Sequence, residues 1–262
     1  MRREMSVAGS FYPARASEIE RYFEHFSKIY DENSQIPKTK ARALIVPHAG
    51  YVYSGYTANC AYRVLQNSGV KNILVVGPSH RIGFYGSSLG DYKYYKTPFG
   101  EIGQSEKIHK MLQEQFNLPF MPQAHAEHST EVQFPFIKHY LGECEIVELV
   151  YSSEKAEAIS EIIDFVLDQE DCAVVISTDL SHFYTLKNAN ELDNVCLNAI
   201  ENLDVGMLGE GCEACGMIGV EAMIRSAKKL GLHSHILDYR TSADSSGDES
   251  RVVGYVSAYF TE

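Results

Sequence analysis

Leu44, Ile45 and Val46 form an unbroken apolar run that stops at Pro47. The run is too short for a helix and rich in β-branched residues, the pattern of a strand buried on both faces. Because proline cannot donate a ladder hydrogen bond, the sheet is expected to end there. It would release His48 at the strand's carboxyl end, where open α/β sheets place their ligands. Ile73 to Gly77 repeats the device and runs into Pro78-Ser79-His80. A third buried run, Ala173 to Ser177, leads into Thr178-Asp179-Leu180-Ser181-His182.

Between these runs the apolar spacing changes to three and four. Ile19, Tyr22, Phe23, Phe26 and Ile29 predict an amphipathic helix over Ser17 to Tyr30, capped by Ser17 with Glu20 three residues on. Further helices are expected at about Tyr56 to Gln66, Ser105 to Phe116, Val132 to Tyr140, Glu154 to Asp168, Asn188 to Leu203 and Gly219 to Leu230. Strands are expected at Ile146 to Val150, Ile236 to Arg240 and Val252 to Phe260. The Gly- and Tyr-rich stretch from Phe84 to Gly103 breaks the rhythm and reads as a hairpin or extended excursion around Thr97-Pro98-Phe99-Gly100. Alternation of this kind predicts an α/β fold: a single domain over residues 1–262 with a mostly parallel central sheet covered by helices on both faces.

Composition narrows the partners. With 23 Lys and Arg against 35 Asp and Glu, the formal charge of -12 argues against nucleic acid or an anionic membrane as the main partner. The two N-terminal arginines are not followed by an apolar signal core, and no apolar run approaches the roughly 20 residues of a membrane helix. A cytoplasmic location follows as the expectation. Six scattered cysteines in a chain of this size are expected to be reduced thiols, most of them buried and inert. No glycine-rich phosphate loop is present, so a nucleotide cofactor is not expected.

The chemistry concentrates on histidines. If their strands are neighbours, His48, His80 and His182 converge above one sheet edge, and two imidazoles with one carboxylate form the facial triad of non-haem iron. Asp179, Asp244, Glu127 and Glu131 are the carboxylate candidates, although Asp244 lies in a Ser-, Asp- and Gly-rich segment that also reads as a simple turn. His125 and His128 flank Glu127, and three-residue spacing puts both on one face of a helix. That pair is either a helix start capped by Ser129 or the source of a proton-transfer histidine beside a metal. Cys212 and Cys215 have the spacing of a redox or zinc pair, but no second pair accompanies them.

Taken together, Ala8 to Pro13, Val46 to Gly55, Gly77 to His80, Glu127 to Glu131, Ser177 to His182, Cys215-Gly216 and Thr241 to Asp248 resemble the Memo family, whose prokaryotic members are called AmmeMemoRadiSam system protein B. The resemblance runs end to end. It implies a class III extradiol dioxygenase-like fold, in which iron(II) held by two histidines and a carboxylate opens catechol rings. Carried onto this chain, the metal ligands would be His48, His80 and Asp244, with iron(II) the first choice and copper or zinc as alternatives. Some family members have Cys where this chain has Asp244, a softer donor. His182 and His128 would act as general acid and base, Asp179 would tune an imidazole, and Tyr51, Tyr53 and Cys215 would line the pocket. The resemblance leaves two further roles open: binding of a small molecule or peptide without turnover, and accessory work beside a radical-SAM partner.

Overall fold

Every apolar run that reads as a strand becomes one, and the two faces of each run enter different cores. The computed structural model describes residues 1–262. The chain begins with β1 (Arg2–Arg3), α1 (Ala16–Asn33), β2 (Ala43–Val46), α2 (Tyr51–Leu65) and β3 (Asn72–Pro78). Next come β4 (Ser87–Leu89), β5 (Tyr94–Thr97), β6 (Gly100–Gly103), α3 (Glu106–Phe116), α4 (His128–Glu131) and α5 (Phe134–Leu141). The second half contains β7 (Glu145–Tyr151), α6 (Ala156–Leu167), β8 (Cys172–Ser177), β9 (His182–Tyr184), α7 (Leu186–Glu201) and α8 (Val205–Leu208). It closes with α9 (Met217–Leu230), β10 (His233–Thr241), α10 (Ala243–Ser246) and β11 (Val252–Thr261).

The main sheet runs β10-β11-β2-β8-β3-β7-β4, with β9 paired to β11 off that path. Its centre, β2-β8-β3-β7, is parallel, as βαβ crossovers require. Both flanks are antiparallel: β10 with β11, β11 with β2 and with β9, and β4 with β7. The sheet is therefore mixed rather than mostly parallel. The physical reason lies in the connections, since only a short turn around α10 joins β10 to β11, and a parallel return needs a dozen or more residues.

Side-chain alternation divides the core. Ile45, Leu74, Val76, Val174 and Ile176 pack on one face with α6 and α9, whereas Leu44, Val46, Ile73, Val75 and Val175 pack on the other with α1, α2 and α5. The result is a helix-sheet-helix arrangement. The excursion over Phe84 to Gly103 contributes β4 to the main sheet and pairs β5 with β6 as a hairpin, which β1 joins in a small second sheet.

Three local expectations change. Helix α1 begins at Ala16 with no side-chain cap rather than at Ser17, and α2 begins at Tyr51, five residues before the expected start. The third concerns the thiols: Cys196 and Cys212 form a disulfide across 16 residues, leaving Cys60, Cys144, Cys172 and Cys215 free. This pairing is not legible from residue spacing, because α7 and the segment after α8 meet only in the tertiary structure. No helix is long and apolar enough to cross a membrane.

Candidate metal centre

Strands β2 and β3 end at Val46 and Pro78, and the chain leaving each carries a histidine over the same edge of the sheet. The third imidazole arrives from elsewhere. Helix α4 packs on β3 at Gly77, where an added Cβ would lie 2.5 Å from Ser129 Oγ, and this close approach brings His128 over the strand ends. One ring nitrogen each from His48, His80 and His128 lies within 4.8 Å of the others. Ring centroids are 4.5 Å apart for His80 and His128, 5.1 Å for His48 and His80, and 5.4 Å for His48 and His128.

Hydrogen bonding fixes which nitrogen each ring presents. A single buried carboxylate, Glu127, accepts from Nδ1 of His80 at 3.1 Å and from Nδ1 of His128 at 2.9 Å. It also accepts the backbone N–H of His80 at 2.7 Å and of Ser129 at 3.1 Å. Ser177 Oγ donates to the Ser129 carbonyl, so it receives His48 Nδ1–H at 2.9 Å as an acceptor. In all three rings Nδ1 is therefore the nitrogen engaged by the protein support, and Nε2 is the one turned toward the cluster; at His48 it also meets the Cys215 thiol at 3.3 Å. Orientation of a ligating imidazole by a carboxylate or hydroxyl on its far nitrogen is the usual support of a metal site.

The electrostatics agree. Burial, reinforced by repulsion from His80 and His128, pushes the His48 pKa well below the ordinary histidine value and keeps the ring neutral. Burial works against Glu127, but hydrogen bonds from His128, His80 and two backbone amides outweigh it and hold the carboxylate far below its usual range. Three clustered imidazoles backed by one fixed negative charge offer the donor set of a divalent transition metal.

The remaining sequence candidates fall in distinct places. Asp179 is buried beside His48: its Oδ1 accepts the His48 backbone N–H at 2.7 Å and its Oδ2 lies 3.9 Å from His48 Nε2. Burial raises its pKa. Cys215 Sγ is 3.3 Å from His48 Nε2, and burial pushes its thiol up to about 12, which leaves it protonated at neutral pH. His182 is half-buried and close enough for its charge to weigh on both His48 and Asp179. Asp244, by contrast, is not brought to the cluster. Its carboxylate turns back on its own loop and accepts the Thr241 backbone N–H at 2.8 Å, the turn role that Asp residues commonly fill.

Tyr51 and Tyr53 part company because α2 starts at Tyr51. Tyr51 is a core residue whose hydroxyl donates to the Val132 carbonyl, while Tyr53 is exposed on the first turn. A groove of about 500 Å³ runs beside them, lined in part by Phe11, Tyr12, Val52 and Tyr53. Phe11 joins it to the centre, its ring 4.7 Å from that of His128.

Two more sequence candidates are structural. His125 is sealed between Glu148 at 2.8 Å and Ser88 at 2.9 Å, so the two histidines flanking Glu127 do not share a face. Glu131 accepts from Arg3, Ser6, Val7 and Tyr12, and Arg3 also reaches Glu148 and the Glu127 carbonyl. This buried network clamps both ends of α4, the helix that carries His128. The helix is capped by Glu127 rather than by Ser129.

Fold and centre together define a mixed-sheet α/β protein with a three-imidazole cluster at its strand ends. Residues 3–259 match the family model described as Memo-like protein. The chain is 34% identical over 284 residues to a MEMO1 family protein of Sulfolobus acidocaldarius, covering 99% of each chain. It is 32% identical over 271 residues to one from Aquifex aeolicus, covering 98% of each, and 34% identical over 289 residues to one from Methanobrevibacter smithii, covering 99% of this chain and all of that one. The chain belongs to the Memo family.

Proposed function

We propose that the protein is a metal-dependent oxidoreductase in which His48, His80 and His128 hold iron(II), on a fold of the class III extradiol dioxygenase type. The observation that carries this reading is the set of three clustered imidazoles, each held through Nδ1, two of them oriented by Glu127. Iron(II) is preferred over zinc or copper because of the family resemblance to iron enzymes. Bound there, it would supply open positions for a substrate oxygen pair and for dioxygen.

The protein's own groups divide the remaining work. Glu127 and Ser177 orient the rings, and Asp179 sits where it can accept a proton from a bound hydroxyl beside His48. His182, which is half-buried, would exchange protons with solvent as the general acid or base. The Cys215 thiol packs against His48 and hydrogen-bonds to its Nε2, with Sγ 3.3 Å away.

Protein loaded with iron under anaerobic conditions is expected to consume dioxygen with some member of a catechol panel, and His48→Ala and His80→Ala proteins that still fold are expected to lose that uptake. No uptake by fully loaded wild type would remove this reading for those substrates. The groove beside Phe11 favours a second reading, capture of a small molecule or peptide without turnover, alone or beside a radical-SAM partner. Tight binding with no dioxygen consumption would select it.

A further inference from the structure

We propose that Tyr255 is a substrate-binding residue of the three-histidine centre, donating its phenolic hydrogen to one oxygen of a ligand that carries hydroxyls on adjacent carbons. The proposal rests on the metal reading and the catechol class proposed above, and goes on to name a recognition residue for that site.

Backbone pairing puts Tyr255 there. Along β11, Val253 pairs with His182, Gly254 N–H donates to the Ser181 carbonyl at 3.0 Å, and Leu180 N–H donates to the Gly254 carbonyl at 2.8 Å. Antiparallel progression then sets the next residue, Tyr255, beside Asp179. The opposite neighbour gives the same answer. Ala258 of β11 pairs with Ile45 of β2, so three steps back along one strand correspond to three steps forward along the other, which is His48.

The side chain is built as a donor without an acceptor. Tyr255 is 2% exposed, and its hydroxyl has no hydrogen-bond partner in the protein. The hydroxyl keeps some contact with solvent although the residue as a whole is buried. A buried tyrosine ordinarily finds a partner for its hydroxyl, and leaving it bare is costly unless a ligand or water supplies one. Asp179 and Tyr53 are the titratable neighbours close enough to bear on the phenol. Asp179 itself spends Oδ1 on the His48 amide and keeps Oδ2 free of hydrogen bonds, facing His48 Nε2.

A free donor and a free acceptor on neighbouring strand-end residues match one hydroxyl group, which would accept from Tyr255 and donate to Asp179. His48 Nε2 lies 3.9 Å from Asp179 Oδ2, so a ligand that reaches both the carboxylate and a metal on the histidines needs a second oxygen on the adjacent carbon. Catechols and ene-diols have that arrangement; simple phenols and monocarboxylates lack the second hydroxyl.

The test uses zinc-loaded full-length protein and 4-nitrocatechol, followed by its absorbance, with azide as a small probe of the centre alone. Tyr255→Phe keeps the ring and removes only an unpartnered hydroxyl, so the fold and the zinc affinity, read by competition with a chelating dye, are expected to stay within twofold. Nitrocatechol binding is expected to weaken about tenfold, the effect of one lost hydrogen bond, while azide binding stays unchanged. Equal nitrocatechol affinity in the two proteins overturns the assignment, as does equal weakening of nitrocatechol and azide, which would mark a purely structural role. Retained zinc with no nitrocatechol binding in wild type overturns it too. Protein that retains no zinc overturns the metal reading itself, and this assignment with it.

Discussion

His80 is tied to Glu127 twice: its backbone N–H donates to Oε2 at 2.7 Å and its ring Nδ1 to Oε1 at 3.1 Å. One carboxylate therefore fixes both the main chain and the ring of a candidate ligand while also holding the ring of His128. Glu127→Gln keeps the shape but replaces an all-acceptor group with one that is half donor. Divalent metal affinity is expected to fall roughly 10- to 100-fold with the fold retained, measured by chelator competition. Unchanged affinity would show that the imidazoles orient themselves.

Stability should depend on pH through His48. Its folded pKa lies below that of an unfolded histidine, about 6.5, so in the window below that value the unfolded chain takes up a proton that the folded protein refuses. His48 therefore contributes fully above pH ~6.5, and its contribution declines as pH falls toward the folded pKa. Urea titrations in chelator at pH 7.5, 6.5 and 5.5 should give falling stability, with a flatter profile in His48→Gln. A parallel decline in both proteins would assign the acid sensitivity to other groups.

Arg3 is buried between Glu131 and Glu148, with nitrogens 2.6 and 3.3 Å from their oxygens. Burial disfavours its charge, yet the two carboxylates outweigh that and raise its pKa. Arg3→Met removes the cation and strands two buried anions, a loss of about 3 to 5 kcal/mol. Denaturation at pH 7 checks it; a loss under about 1 kcal/mol would mean that the carboxylates are solvated or protonated instead.

The Cys196–Cys212 bridge should be visible chemically. Denaturation without reductant followed by alkylation is expected to modify four of the six cysteines, Cys60, Cys144, Cys172 and Cys215. Reduction should lower stability by about 3 kcal/mol, the scale for a loop of this length. Six modified thiols would contradict the pairing.

At Gly254, an added Cβ would lie 1.9 Å from Asp193 Oδ2, and that carboxylate is held by Ser181 N–H and the Tyr239 hydroxyl. Gly254→Ala is expected to cost about 1 to 3 kcal/mol and to loosen the Asp179 to His182 segment. A urea melt with wild-type stability would show that Asp193 moves aside freely.

His48 and His80 could be read in advance because a strand, a proline and a histidine are all local signals. His128 could be read only as a proton-transfer candidate, since its place in the cluster depends on α4 meeting β3 at Gly77, a contact between segments about 50 residues apart. Asp244 went the other way: its turn-forming composition described its place in the structure better than its match to a ligand position did. The antiparallel return of β11 was legible in principle, because the turn after Thr241 is too short for a crossover. Tyr255 carried no local mark at all. A tyrosine in an apolar strand reads as core, and only the register of β9, β11 and β2 sets it beside the centre.

The identity of the third ligand tests the account most directly. Metal content and affinity should be measured on protein purified without oxygen, for wild type, His128→Ala and Asp244→Ala. The three-histidine centre predicts one tightly held divalent metal, at least 100-fold weaker binding in His128→Ala, and wild-type binding in Asp244→Ala. Retention by His128→Ala together with loss in Asp244→Ala would contradict it and return the site to two histidines and an aspartate.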